Sequence, residues 1–263
     1  MTSATALPTL FISHGAPTFA LEPGYIGPML TALGEQLPTP RAVLVLSPHW
    51  MTRQSEIGSA LKPETIHDFG GFPAALYELQ YPAAGSLAVA AEAQALLAAA
   101  GLPTRLNPSQ GLDHGAWVPL MHLYPDASVP VLQLSMQPDT DPRAAYALGR
   151  ALAPLRRQGV LLLGSGGITH NLYDFRAGQA GTLPYVSEFS AWIETAIGNG
   201  DLEALFDYRQ QAPGAVRAHP TDEHLMPLFF AIGAADDAWT GHQRLIGGVE
   251  YGMLNMDAYL FAV

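Results

Sequence analysis

The feature that most constrains this chain is a series of short apolar runs, rich in Val, Leu and Ile, that alternate with longer segments of helical character. Each run is followed by polar residues or glycine, as expected for buried strands. The runs are Thr9–Ser13, Ala42–Ser47, Pro130–Ser135 and Val160–Gly164. The predicted helical segments are Ser86–Ala100, Pro142–Gln158, Ser187–Gly198, Asp201–Gln211 and Thr221–Gly233. This alternation predicts an α/β fold with a central mixed, mostly parallel sheet flanked by helices.

Near the end of the sequence, Leu245–Gly248 and Leu254–Phe261 are predicted to be strands added antiparallel at one edge of the sheet. The 263 residues, 49% of them hydrophobic, are enough to form one large core. We find no internal repeat, low-complexity tract or linker. We therefore expect a single catalytic domain spanning residues 1–263.

Charge and cysteine content narrow the classes of partner and site. Lys and Arg total 12 against 23 Asp and Glu, and the formal charge of −11 would repel nucleic acid and anionic membranes. The amino-terminal sequence lacks the basic and apolar regions of a secretory signal, so we expect a cytoplasmic protein that acts on a small molecule. Because the chain has no cysteine, a transition-metal site would have to use His, Asp or Glu.

Three of the histidines follow predicted strands. His14 and His49 come just after the first two apolar runs, and His170 follows the Gly-rich turn after Val160–Gly164. In open α/β sheets, ligands bind beyond the carboxyl ends of the strands, where the loops converge. The sequence therefore predicts an active site at this edge of the sheet, with three imidazoles delivered by different strands.

A second histidine-rich segment runs from His219 to His224. We expect Thr221 to be the N-cap of a helix that places Glu223 and His224 in its first turn. Adjacent helical residues point about 100° apart, so only one of these two side chains is expected to face a metal. The other would serve as a cap or support the ligand.

The remaining histidines occupy less informative positions. His114 follows Asp113, which is either a functional residue or the N-cap of a helical segment over Ala116–Leu123. His67, His122 and His242 lack such a setting, and we expect them to be ordinary hydrogen-bonding residues.

The motifs of several other enzyme classes are missing. The segment around Ser165 lacks the first glycine of the nucleophile elbow G-x-S-x-G, which disfavours a serine hydrolase. The dinucleotide motif G-x-G-x-x-G fails at Thr169, and neither a P-loop nor H-E-x-x-H occurs. Nucleotide binding and zincin proteolysis are therefore disfavoured, whereas another kind of zinc hydrolase stays open.

Taken together and in order, six motifs resemble the DOPA-dioxygenase type of class III extradiol aromatic ring-opening dioxygenases, the group that includes protocatechuate 4,5-dioxygenase. The motifs are FISHGAP at 11–17, SPHW at 47–50, HDFGGFP at 67–73, GLDHGAW at 111–117, GSGGITHN at 164–171 and HPTDEH at 219–224. They span nearly the whole chain, and their ordered combination is specific.

The resemblance implies one divalent metal bound by His14, His49 and His224, with Fe(II) for turnover and Zn(II) able to fill the site in isolated protein. More distant class III enzymes use a carboxylate as the third ligand, so Glu223 is the alternative to His224. His170 is similar to the family's acid/base histidine and is alternatively a fourth ligand. His114 resembles a second active-site histidine that hydrogen-bonds the substrate hydroxyl or bound oxygen.

The resemblance also implies that a small aromatic diol of the catechol type reacts with O2, which opens the ring beside the two hydroxyls. Trp50, Phe69, Phe72 and Trp117 are candidates for holding the aromatic ring, and ordinary core packing is the alternative for each. Two other functions stay open at this point. One is a zinc-dependent hydrolase that uses the same histidines, and the other is a non-catalytic binding protein on the same fold.

Overall fold

The computed structural model describes residues 6–175 and 181–263. The strands are β1 (Thr9–Ser13), β2 (Ala42–Met51), β3 (Glu56–Gly58), β4 (Arg105–Asn107), β5 (Val131–Met136), β6 (Val160–Gly166), β7 (His242–Leu245), β8 (Val249–Glu250), β9 (Leu254–Asn255) and β10 (Ala258–Phe261). The α-helices are α1 (Ile26–Gln36), α2 (Ala74–Glu78), α3 (Leu87–Ala99), α4 (His114–Leu123), α5 (Pro142–Leu152), α6 (Pro184–Gly198), α7 (Leu202–Phe206), α8 (Tyr208–Gln211), α9 (Ala215–Ala218) and α10 (Met226–Ala234). Short 3₁₀ turns cover Pro17–Ala20, Ala153–Gln158, Leu172–Asp174 and Asp236–Ala238.

The main sheet has 8 strands in the order β4-β3-β5-β2-β6-β1-β10-β7. Its centre is parallel, because β2 pairs with β5 and β6, and β6 pairs with β1. The carboxy-terminal strand β10 lies antiparallel to both β1 and β7. The predicted single α/β domain with a mixed, mostly parallel sheet is therefore confirmed, and Ala258–Phe261 forms part of the predicted antiparallel addition at one edge.

The register of the parallel strands sets where the site lies. Ser13 pairs with Gly166, and Leu46 pairs with Gly164, so β1, β2 and β6 finish at the same edge of the sheet. Beyond Leu46, the pairing of β2 with β5 becomes irregular before it resumes at Met51. Residues that follow these strand ends therefore converge.

The core lies on both faces of the central strands. Val43 and Leu46 of β2 and Leu161 of β6 are fully buried, and each such side chain contributes about 1.5–3 kcal/mol relative to exposure. Helix α10 is buried along its whole length and packs against α5 and β6. Within residues 6–175 and 181–263, no helix is long and apolar enough to cross a membrane.

The helix predicted for Thr221–Gly233 begins only at Met226, so the predicted N-cap role of Thr221 is wrong. Pro227 explains the late start: inside a helix it would remove a hydrogen bond and clash with the preceding turn, whereas it is tolerated in the first turn. The Thr221 hydroxyl instead donates to Glu223 Oε1 at 3.0 Å. Glu223 and His224 therefore lie in the turn before the helix.

Other boundaries also differ from the sequence predictions. The predicted helix Pro142–Gln158 changes to 3₁₀ geometry after Leu152, and Asp201–Gln211 forms the two short helices α7 and α8. Of the predicted strand Leu245–Gly248, only Leu245 is in a strand. The Gly247 N–H donates to the Asp257 carboxylate at 2.9 Å, which takes this residue out of strand pairing. The segment Leu254–Phe261 is divided between β9 and β10.

Candidate metal centre and active site

His14 directly follows β1, and its side chain is almost completely buried. Its Nδ1 lies 3.0 Å from the hydroxyl oxygen of Ser165 at the end of β6. That hydroxyl donates its only hydrogen to the carbonyl of Gly115, so towards His14 it can only accept. The proton of a neutral His14 ring therefore sits on Nδ1, and the Nε2 lone pair points into the cluster.

His49 lies in the irregular end of β2, where its Nε2 comes within 3.1 Å of His14 Nε2. Its backbone N–H donates to the Ser47 hydroxyl at 3.2 Å, which holds this part of the strand. Gly115 packs directly against it: a Cβ there would lie 2.4 Å from Ser47 Oγ and 3.0 Å from His49 Cδ2. The glycine after His114 in the motif is thus required by the close approach of α4 to β2.

His224 reaches the cluster from the turn before α10. Its Nδ1 is 3.0 Å from Glu223 Oε1, and its Nε2 is buried with no hydrogen-bond partner among the described residues. The His224 carbonyl accepts the Gly167 N–H at 2.8 Å. A Cβ on Gly166 would lie 2.2 Å from the same carbonyl, so the turn sits directly on the end of β6.

His14, His49 and His224 each offer one ring nitrogen, and these three atoms lie within 4.8 Å of one another. Burial and the neighbouring imidazoles lower the pKa of His14 and His224 well below the ordinary value, and burial lowers that of His49 to about 3. All three rings are therefore neutral near physiological pH. Neutral imidazoles with converging lone pairs, one of them buried and unpartnered, fit a divalent transition metal.

His170 lies next to this group. Its ring stacks on that of His224 with the centroids 3.5 Å apart and the planes 8° from parallel. Its backbone N–H donates to the Ala218 carbonyl at 2.9 Å, which fixes the loop after β6. Burial lowers the pKa of His170 to about 4. His170, Glu223 and His224 also form a second group of potential ligands within 4.8 Å, so the geometry leaves both of the predicted roles of His170 possible.

His114 is the first residue of α4, and Asp113 is its N-cap, accepting the Ala116 N–H at 3.1 Å. The Asp113 carboxylate also accepts from Ser47 Oγ at 2.9 Å and from the side-chain amide of Gln133. Of the two alternatives for Asp113, the structure shows the N-cap, and the helix it caps begins at His114 rather than at Ala116. Burial raises the pKa of this carboxyl group.

A carboxylate not singled out in the sequence, Asp68, lies against His114. Its Oδ2 is 2.9 Å from His114 Nδ1, and its Oδ1 accepts the His114 backbone N–H at 2.9 Å. Burial alone would raise the pKa of Asp68, but its hydrogen bonds to the side chain and backbone of His114 outweigh this effect, and the pKa lies below the usual value. The same Oδ2 is 3.6 Å from His49 Nδ1, too far for a hydrogen bond.

The predicted aromatic residues lie at different depths. Phe69 meets the His114 ring edge-on at 5.7 Å, and Phe72 packs on Phe69 at 5.5 Å. Trp117 is fully buried, and its indole N–H donates to the Ile66 carbonyl at 2.9 Å. Trp50 is 8% exposed at the end of β2. The structure thus brings Phe69 to the histidine cluster and places Trp117 in the core.

The other histidines have ordinary partners. The rings of His67, His122 and His242 are hydrogen-bonded to backbone carbonyls, as expected from the sequence. His219 is fully buried, and its Nε2 lies 2.8 Å from the Ile168 carbonyl, outside the cluster. Of the two histidines that bracket the HPTDEH motif, only His224 joins the site.

Two polar residues of the site, Asp68 and Ser165, were not predicted as partners. Asp68 is 46 residues from His114 and Ser165 is 151 residues from His14 in the sequence, so no local pattern links them. The available signal was their position inside the quoted motifs. Asp68 directly follows His67 in HDFGGFP, and Ser165 lies between two glycines at the end of an apolar run.

Several proteins similar to this chain are named 4,5-DOPA dioxygenase extradiol. A 4,5-DOPA dioxygenase extradiol from Beta vulgaris is 43% identical over 252 residues, covering 93% of this chain and 94% of the relative. Proteins of the same name from Portulaca grandiflora and Escherichia coli K12 are 38% and 37% identical, covering 96% and 97% of this chain and 95% and 94% of the relatives.

A solved structure shares the fold. The crystal structure of uncharacterized protein JW3007 from Escherichia coli K12 aligns with a TM-score of 0.80 at 30% identity, covering 97% of this chain and 99% of that one. The family model described as the catalytic LigB subunit of aromatic ring-opening dioxygenase matches residues 10–253. This family implies a metal and an aromatic substrate, and the three-histidine cluster fits the metal. The chain belongs to the LigB family of aromatic ring-opening dioxygenases, a family of oxidoreductases.

Proposed function

We propose that this protein is an extradiol dioxygenase that opens the ring of a small catechol-type diol with O2 at a mononuclear metal centre. The observation that carries the proposal is the set of ring nitrogens of His14, His49 and His224, within 4.8 Å of one another. Both His14 and His224 have a hydrogen-bond acceptor at Nδ1, which leaves Nε2 as the metal-binding atom. A hydrogen-bond acceptor on the other ring nitrogen sets the orientation and basicity of a metal-binding histidine.

We propose His224, rather than Glu223, as the third ligand. His224 Nε2 is buried and unpartnered among the described residues, whereas Glu223 Oε1 already accepts from Thr221 and lies 3.0 Å from His224 Nδ1. Glu223 therefore supports the ligand from outside. When bound, a divalent metal supplies open positions for the two oxygens of a catechol and for dioxygen.

We propose Fe(II) as the metal that supports turnover. Zn(II) binds imidazole well and is expected to occupy the same three histidines in isolated protein. Because Zn(II) is redox-inactive, a zinc-filled sample is expected to be inactive in oxygen consumption.

The remaining histidines handle the substrate. A catechol must lose a proton as it binds through both oxygens, and a neutral imidazole is suited to accept that proton. We propose His170 as this acid/base group, because its ring stacks on His224 at 3.5 Å and is neutral near physiological pH. His114 would hydrogen-bond the substrate hydroxyl.

Aromatic residues form the apolar part of the proposed substrate site. Phe69 contacts the His114 ring and Phe72 contacts Phe69, so these two side chains form the wall beside the histidines. Edge-on and offset contacts of this kind suit a planar aromatic substrate. We propose that Trp50 and Trp117, both buried, act on the substrate site by supporting this wall and the end of β2.

The experiment is oxygen uptake by protein loaded anaerobically with Fe(II) and offered a panel of catechols that includes L-DOPA. We expect stoichiometric oxygen consumption and a yellow ring-opened semialdehyde, and no consumption by the Zn(II)-loaded control. Absence of uptake across the panel would contradict the proposal. Oxygen-independent ester or amide hydrolysis by the Zn(II)-loaded protein would favour a zinc hydrolase instead.

A further inference from the structure

Asp68 is a carboxylate whose two oxygens both engage a single residue. Oδ1 accepts the backbone N–H of His114, and Oδ2 lies 2.9 Å from the Nδ1 of the same residue. The Asp68 side chain is 22% exposed and that of His114 is 7% exposed, so the contact lies largely out of water. This two-point contact fixes both the start of α4 and the rotation of the imidazole.

The contact also determines which ring nitrogen of His114 carries the proton. An ionised carboxylate can only accept hydrogen bonds, so Nδ1 must be the protonated nitrogen. In the neutral ring, Nε2 then has a lone pair and no hydrogen. This nitrogen lies on the edge of the ring away from Asp68, and the ring centroid is 4.0 Å from that of His49 and 5.7 Å from that of Phe69.

We propose that Asp68 is a positioning residue that locks His114 as a hydrogen-bond acceptor for a hydroxyl of the aromatic diol, an inference that rests on the proposed function. An unprotonated Nε2 can accept a hydrogen bond from a hydroxyl group. It cannot donate one to an oxygen atom that carries no hydrogen. The family resemblance implies that His114 hydrogen-bonds either the substrate hydroxyl or bound oxygen. An unprotonated Nε2 selects the substrate hydroxyl. Glu223 lies within 4.8 Å of His170 but is hydrogen-bonded to His224 instead, and we keep the acid/base role for His170.

The contact differs from the other carboxylate–imidazole pair in the site. Glu223 is bonded to His224, whose Nε2 is buried and assigned to the metal. His114 also forms a group of potential ligands with His49 and Asp68, within 4.8 Å of one another, but its Nδ1 is bonded to Asp68, and its Nε2 lone pair remains for the substrate. In hydrolytic triads the same device, an aspartate on the far nitrogen, keeps a histidine in the productive tautomer.

The first test reads the tautomer directly. In ¹⁵N-histidine-labelled, Zn(II)-loaded protein, long-range ¹H–¹⁵N spectra distinguish a protonated from an unprotonated ring nitrogen, and the His114→Gln variant identifies the His114 signals. We expect protonated Nδ1 and unprotonated Nε2 in the unmodified protein. A protonated Nε2 on the neutral ring would overturn the proposal.

The second test compares Asp68→Asn with Asp68→Glu in the Fe(II)-loaded enzyme. The amide of Asn offers a donor to Nδ1 and should shift the tautomer, lowering kcat about 10–100-fold with bound metal unchanged. Asp68→Glu keeps the carboxylate and should restore part of the loss. An unchanged tautomer or an unchanged kcat in Asp68→Asn would overturn the proposal. Loss of the metal without a change of tautomer would also overturn it, because the substitution would then act through His49.

A matched control is Glu194→Gln, which removes another carboxylate beside a histidine, His242, far along the chain from the site. It should alter the His242 signals and leave oxygen uptake unchanged. If the unmodified enzyme consumes no oxygen with any catechol, the proposed function fails, while the tautomer measurement still decides the role of Asp68.

Discussion

His14 and His114 lie on two sides of one histidine cluster, their ring centroids 5.5 Å apart, and each has its Nδ1 held by an oxygen. On the His14 side that oxygen is the neutral hydroxyl of Ser165, and on the His114 side it is the carboxylate of Asp68. Both partners leave Nε2 as an acceptor, but only the carboxylate brings a full negative charge. In our proposal, the same residue type serves a metal cation on one side and a substrate hydroxyl on the other.

The largest loss of activity is expected from a substitution in the proposed metal site that contains His14. His49→Ala removes one of the three proposed ligand nitrogens and should abolish both metal binding and turnover, because two imidazoles hold a divalent ion too weakly. Metal content after gel filtration measures this, and His122→Ala, whose ring is bonded to the Phe19 carbonyl, is the control. Full metal content in His49→Ala would contradict the ligand assignment.

The next effect should separate chemistry from metal binding. His170→Ala removes the proposed acid/base group but none of the three ligands, so metal content should be retained while kcat falls by about 10²–10⁴-fold. Parallel metal analysis and oxygen uptake check this. If the metal is lost as well, His170 belongs to the ligand set.

A smaller effect should come from the hydroxyl that holds His14. Ser165→Ala leaves His14 Nδ1 without its acceptor, so the ring can rotate or change tautomer, and metal affinity should fall about 10–100-fold. Competition with a fluorescent chelator measures the affinity. Ser190→Ala, which truncates another buried serine, should leave it unchanged, and equal affinities for both variants would show that Ser165 does not orient His14.

The smallest effect concerns a partly buried carboxylate outside the three-histidine group. Glu250 of β8 lies close to Gly15, Gly24 and Glu22, and burial, followed by repulsion from Glu22, raises its pKa from 4.5 to about 7. Because the folded-state pKa is raised, ionisation destabilises the fold, and this penalty begins near the unfolded pKa and is complete above about pH 7.

Glu250→Gln should therefore raise the free energy of unfolding by about 1–2 kcal/mol at pH 8, after allowance for solvent screening, and by almost nothing at pH 4. Urea unfolding at the two pH values measures the difference, with the exposed Glu188→Gln as control. An equal gain at both pH values would mean that the effect does not come from ionisation of Glu250.

The part of the site at the ends of the strands could be predicted, because buried parallel strands give a strong local pattern of apolar residues in the sequence. Apolar runs ending at Ser13 and Ser47 fixed the positions of His14 and His49, and parallel register brings such ends to one edge. The position of His224 was harder to predict. Its helix begins after it, because Pro227 outweighs the capping signal at Thr221.

The rest of the fold and of the site could not be predicted from the sequence, for physical reasons. Helix α1 contains Gly27, Pro28 and Gly34, which lower its helix propensity, and β3 and β4 are too short to show an alternating pattern. The tautomer-setting contacts of Ser165 and Asp68 join residues distant in sequence, so they arise only once the sheet has formed.

The most direct test of the metal centre is anomalous diffraction at the iron edge from crystals grown anaerobically with Fe(II). We predict a single peak bound by Nε2 of His14, His49 and His224, with Nδ1 of His14 still on Ser165. A peak bound by Glu223 and His170 instead, with His14 outside the coordination sphere, would contradict it.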